Sequence, residues 1–172
     1  MSVIRSGAVK WKDAPTDLEG PELRVGDRAP ADFALVGADL SALSGADLAG
    51  KPRILCAVPS LDTAVCDLEM RRFNTEAEKI PGVKVVSISL DLPFALKRWC
   101  GATGSDRIQA ASDWKERAFG RAYGVFAPSK ALLARAVFVI GADDTVRHVE
   151  YVADVVHEPN YDAALAAARA LA

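Results

Sequence analysis

The stretch that most limits how this chain can fold is a strand–helix–strand unit near its middle. The apolar run Ile54-Leu55-Cys56-Ala57-Val58 has the length and composition of a strand covered on both faces. Pro59-Ser60-Leu61-Asp62-Thr63 breaks it. From Cys66 onward, Met70, Phe73, Ala77 and Ile80 recur on one face of a helix over residues 67–80. Pro81-Gly82 stops that helix before a second strand at residues 83–90. A unit of this length closes with a right-handed crossover and parallel strands. It also places Cys66 in the first helical turn, where free N–H groups and the positive dipole end favour an anion. Cysteines in such places are commonly reactive thiolates. Cys66 is therefore a candidate nucleophile.

The elements around this unit extend the same pattern. Residues 1–25 are irregular, with a short hairpin expected between Val9-Lys10-Trp11 and Glu22-Leu23-Arg24 and with Pro15, Gly20 and Pro21 as breakers. A strand is expected at 33–36 with a partner at 40–43, then a loop or single helical turn at 45–50. A short helix at 94–99 carries Cys100 at its end, before Gly101. A strand at 108–111 leads to a helix at 114–123, capped by Ser112 or Asp113 and closed by Gly124. The apolar strand 135–140 and the strand 145–152 form a hairpin, and an Ala-rich helix fills 161–171. This order fits an α/β domain with a central mixed sheet flanked by helices. One domain is expected over 1–172, with 1–25 as an N-terminal β-hairpin extension packed on it.

Composition removes several functions. The 21 basic and 23 acidic residues of the 172 are well mixed, so nothing favours nucleic acid as a partner. No apolar run approaches the roughly 18 residues of a membrane span. Residues 1–13 carry Arg5 and Lys10 but no apolar core of a secretory signal, so a cytoplasmic location is expected. Three cysteines, Cys56, Cys66 and Cys100, are too few for a disulfide framework, and His148 and His157 do not complete a structural zinc set.

Other residues leave two readings open. Thr63, three positions before Cys66, either faces its sulfur or caps the helix. Pro59 ends the strand and stiffens the loop. Arg135 opens an otherwise apolar strand and either reaches a site at the sheet edge or is a solvated strand end. Asp62 reads as a helix cap or a general base, Asp91 and Asp113 as caps, Arg71 and Arg72 as surface residues or neighbours of the site, and Cys56 as a buried, inert thiol in mid-strand.

Four segments together carry a family resemblance: Pro59-Ser60-Leu61-Asp62-Thr63-Ala64-Val65-Cys66, Asp91-Leu92-Pro93-Phe94 with Arg98-Trp99-Cys100-Gly101-Ala102, Ala134-Arg135-Ala136-Val137, and Glu158-Pro159-Asn160-Tyr161. In this order they resemble the peroxiredoxins, and among them the bacterial thiol peroxidase group of the atypical two-cysteine type. The resemblance spans residues 26 to the last helix and implies a thioredoxin-like fold. It implies that Cys66 reduces hydrogen peroxide or an alkyl hydroperoxide, with Pro59, Thr63 and Arg135 around it. It further implies that Cys100 closes an intramolecular disulfide with Cys66, which thioredoxin or a similar dithiol then reduces. The group is homodimeric and needs no metal or organic cofactor. Ala64 departs from the Gly or Pro often found there. The alternative is a thiol-based redox sensor or relay that passes oxidation of Cys66 to a partner.

Overall fold

The computed structural model describes residues 2–172. A hairpin opens the chain, β1 (Ile4–Trp11) and β2 (Ala14–Glu19), turning on Lys12 and Asp13, which hold φ of 52° and 65°. Two successive positive φ values give a turn whose twist matches that of paired strands. The return strand expected at residues 22–24 therefore lies at Ala14–Glu19 instead. Pro15 is accommodated near the start of β2, opposite Lys10, where a missing N–H costs little.

Next come β3 (Ala34–Gly37), β4 (Ala42–Ser44) and the single-turn helix α1 (Gly45–Leu48), capped by Ser44. The central unit follows as β5 (Arg53–Ala57), α2 (Ala64–Ala77) and β6 (Lys84–Ser89). Helix α3 (Pro93–Thr103) leads to β7 (Ile108–Ser112) and the short α4 (Ala118–Ala122). Two small strands, β8 (Phe126–Ala127) and β9 (Leu132–Leu133), precede the hairpin β10 (Ala136–Ile140) and β11 (Val146–Tyr151). Helix α5 (Tyr161–Arg169), capped by Asn160, comes last.

The main sheet has seven strands in the order β11-β10-β5-β6-β7-β3-β4, and a second sheet runs β1-β2-β8-β9. Strands β5, β6 and β7 are parallel, as the strand–helix–strand reading requires, and β10 adds to β5 antiparallel. Alternation along β5 divides the core. Ile54 and Cys56 face Met70 and Phe73 of α2 and Leu165 of α5, whereas Leu55 and Ala57 face Phe119, Tyr123 and Phe138. The sheet is thus covered on both sides, which explains why β5 and β10 read as unbroken apolar runs.

Two helices differ from expectation. Helix α3 continues through Gly101 to Thr103 and ends at Gly104, whose φ of 63° makes the left-handed stop. Cys100 consequently lies within the last turn of α3 rather than at its end. The helix expected at 114–123 forms only over α4, because Arg117 takes φ 53° and breaks the run.

The N-cap of α4 is Arg117, not Ser112 or Asp113, yet the buried Asp113 carboxyl serves the same first turn from a distance, accepting from the N–H of Phe119 at 3.3 Å and of Gly120 at 2.8 Å. Burial pushes that carboxyl up to about 6, against the pull of these donors. A group raised in the folded state contributes stability below its ordinary value of 3.8 and loses it as pH rises through about 6. Asp113→Ala should cost about 1–3 kcal/mol, the penalty of orphaned buried N–H groups. Urea unfolding should show a larger loss at pH 4 than at pH 8. Among the described residues, no helix is long and apolar enough to cross a membrane.

Candidate active site

Strand β5, in the middle of the sheet, delivers the chain to Pro59 beyond its C-terminal end, and the loop it enters is held from two sides. Thr63 is the N-cap of α2: its Oγ1 accepts from the Cys66 N–H at 3.4 Å and donates to the Ser60 carbonyl at 3.0 Å. The cap reading of Thr63 holds: its hydroxyl meets the backbone N–H of Cys66. Asp91 holds the other side. Its carboxylate accepts from Ser60 Oγ at 2.7 Å, from the Leu61 N–H at 2.9 Å and from Ser89 Oγ at 2.8 Å. Asp91 is thus a brace for the loop and not a cap of α3, whose N-cap Leu92 makes no side-chain bond. Asp62 does not cap either; it accepts from Arg98 Nη2 at 2.8 Å.

Cys66 is fully buried in the first turn of α2. Arg135, immediately before β10 and also buried, donates from Nη2 to Cys66 Sγ at 3.3 Å and from Nε to the Val155 carbonyl at 2.9 Å. The solvated-end reading of Arg135 is excluded by this burial. Its third contact was not foreseen: Nη1 donates to Glu69 Oε2. Glu69 lies one helical turn after Cys66, and its other oxygen, Oε1, is buried with no hydrogen-bond partner. Burial pushes the Glu69 carboxyl up to about 7, although Arg135 pulls it down. Burial alone would lower Arg135, but the neighbouring Glu69 and Cys66 outweigh it and the guanidinium is held above its ordinary value.

Pro59, Thr63 and Arg135 open onto one cavity of about 560 Å³, whose remaining wall is largely apolar and includes Trp11, Leu132 and Val155. Trp11 and Lys12 come from the first hairpin's turn. Asp154 pins that turn by accepting from the N–H of Lys12 at 3.1 Å and of Asp13 at 2.9 Å. The Asp13 N–H and its companions hold the Asp154 carboxyl below the usual carboxylate range.

Cys100 is elsewhere. It is half-buried on α3 and lines a separate cavity of about 240 Å³ beside Ala38 and Ile108. All three cysteines are free thiols. Helices α2 and α3 are joined by Trp99 Nε1, which donates to Asp67 at 2.7 Å, and by the Arg98–Asp62 pair. Burial pushes the Cys100 thiol up. For Cys56, deep in β5, burial and then the nearby Glu69 push it well up, in keeping with an inert thiol.

A mixed α/β sheet that presents a thiol at a helix start beneath a buried arginine defines a thioredoxin-like thiol protein. The Redoxin family profile matches residues 24–165, and the chain belongs to that family. Thiol peroxidases of Halalkalibacterium halodurans and Bacillus subtilis are 46% and 45% identical to it over 163 residues. These alignments cover 95% of this chain and 98% and 97% of theirs. A peroxiredoxin-like protein from Aquifex aeolicus has a TM-score of 0.89 at 37% identity, over 99% of both chains. These likenesses agree with the thioredoxin-like fold that the sequence motifs implied.

Proposed function

We propose that this protein is a thiol peroxidase that reduces hydrogen peroxide and alkyl hydroperoxides through Cys66. The observation that carries the reading is the hydrogen bond from Arg135 Nη2 to Cys66 Sγ at 3.3 Å, at the head of α2. A guanidinium and a helix N-terminus together stabilise a thiolate and, next to it, the charge of a departing oxygen. The thiolate attacks one peroxide oxygen, the O–O bond breaks, and the alkoxide or hydroxide leaves and takes up a proton. Thr63 Oγ1 has a free lone pair to receive the peroxide O–H, and Pro59 limits water at the sulfenic acid.

In this reading the Cys100 thiol then condenses with the sulfenic acid, forming the disulfide and releasing water. Thioredoxin or a similar dithiol reduces that disulfide by exchange. Cys66 is fully buried at the head of α2 while Cys100 lines a cavity on α3 that Cys66 does not reach, so the step requires the first turn of α2 and the end of α3 to open. The exposed Arg98–Asp62 pair costs at most about 1 kcal/mol to break. We further propose a homodimer, a single domain over residues 1–172 and a cytoplasmic location, with no metal or organic cofactor in the cycle.

The burial of Cys66 outside the cavity that Cys100 lines also favours a second reading, in which a long-lived Cys66 sulfenic acid passes oxidation to a partner. One experiment divides the two. Reduced protein given one equivalent of alkyl hydroperoxide should lose it rapidly, and mass spectrometry should find Cys66 joined to Cys100 with Cys56 free. Cys100→Ser should keep the first turnover and lose recycling by thioredoxin. Recycling that persists without Cys100 would overturn the intramolecular step, and slow peroxide loss in the parent would overturn the peroxidase.

A further inference from the structure

Arg135 faces two acidic side chains with one charge. Its Nη1 donates to Glu69 and its Nη2 to Cys66, which are three residues apart on the same turn of α2. Cys66 and Glu69 are fully buried and Arg135 is 2% exposed, so bulk water screens their mutual interactions only weakly. Glu69 Oε1 has no partner in this state, as suits a carboxyl that carries a proton part of the time. We infer that Glu69 and Cys66 hold a single negative charge between them against Arg135, which makes Glu69 a positioning residue that sets when the thiol ionises.

The surroundings reinforce that limit of one charge. Where two acids share a buried site, the second ionisation is strongly opposed and the two titrate as a pair. Arg135 is the cation acting on Glu69, while Glu150 on β11 and Glu158 ahead of α5 oppose its ionisation. From α5, Tyr161 directs its hydroxyl to Glu158 at 2.6 Å, and Arg72 lies over the Tyr161 ring with Asp162 at 4.0 Å. From β5, the Cys56 thiol is itself pushed up by burial and by Glu69. Burial, first, then Glu150 and Glu158 push the Glu69 carboxyl up to about 7, so it retains a proton near neutrality even with Arg135 pulling it down.

The consequence for turnover rests on the peroxidase reading; the shared charge does not. Before reaction the couple holds one proton, either on Glu69 with Cys66 as thiolate or on Cys66 with Glu69 ionised. The thiolate sulfur bonds to one peroxide oxygen, the O–O bond breaks, and the alkoxide departs with the electron pair and takes up one proton. Cys66 is then a neutral sulfenic acid, so Glu69 ionises against Arg135 and its proton balances that uptake. One turnover near neutrality leaves the solvent's proton count unchanged.

Two measurements test this. In the absence of peroxide, the ultraviolet thiolate absorbance of Glu69→Gln should rise at a pH lower by about one unit or more than in the parent, because Arg135 is no longer shared. In weakly buffered single-turnover reactions at pH 7, the parent should take up no protons per peroxide and Glu69→Gln one. An unshifted absorbance curve in a folded variant overturns the inference. If the variant does not fold, the parent decides alone: its proton uptake should climb from zero near neutrality toward one at alkaline pH, and uptake of one at pH 7 overturns the shared charge. A parent that fails to consume peroxide sinks the peroxidase reading, while the absorbance curves still decide the charge sharing.

Discussion

Cys66→Ser is expected to reduce peroxide consumption to the uncatalysed background, while Cys56→Ser retains the parent rate. A hydroxyl at position 66 keeps the bond from Arg135 Nη2 and the N–H bond to Thr63 Oγ1, so the site's frame remains. What is lost is the polarizable thiolate; a serine hydroxyl stays protonated beside an arginine and is a weak nucleophile. Both cysteines are fully buried, so burial alone does not separate them. Position does: Cys66 heads a helix beneath a guanidinium, and Cys56 lies in mid-strand, where burial pushes its thiol well up. Stopped-flow peroxide consumption with both variants checks the contrast, and urea unfolding should place each within about 1–3 kcal/mol of the parent. Equal loss of activity in both would show that the reaction does not belong to Cys66.

How far these features could be read from the residues alone follows from how local their causes are. The unit β5–α2–β6 was legible because its apolar periods are set by burial on a sheet and on one helix face. Thr63 and Cys66 were legible because a cap and a first turn lie within four residues of each other. The length of α3 was not, since Gly101 reads as a stop yet is carried inside the helix, and Gly104 supplies the left-handed end. The partner of β1 was misplaced because Pro15 reads as a breaker and is tolerated near a strand start. Asp91 and Asp154 act on loops 30 and 142 residues away, so nothing near them in sequence marks the role. Glu69 did leave a trace. It stands between Cys66 and Met70 on the apolar face of α2, and a charge there demands a buried partner. That partner, Arg135, is 66 residues distant, so nothing near Glu69 in the sequence marks the pair.

Because that pair is buried, Arg135→Ala should damage stability as well as chemistry. Removing one partner of a buried ion pair typically costs about 3–5 kcal/mol, since the other is left uncompensated. The sign with pH follows from Glu69, whose folded value of about 7 already exceeds its ordinary 4.5. A group raised in this way contributes stability below 4.5 and loses it as pH rises through its folded value. Without the guanidinium, burial acts on Glu69 unopposed, so the carboxyl holds its proton to higher pH and its ionisation costs more. The difference between parent and variant should therefore widen from pH 4 to pH 8 in urea unfolding. Adding Glu69→Leu to Arg135→Met should recover much of the loss, because two apolar groups leave no charge to compensate. Peroxide turnover should not recover with it. Cys66 would still lack the donor at its sulfur, and rates about 10²–10³-fold below the parent are expected in both backgrounds. Recovery of turnover with stability would mean that Arg135 serves the fold alone.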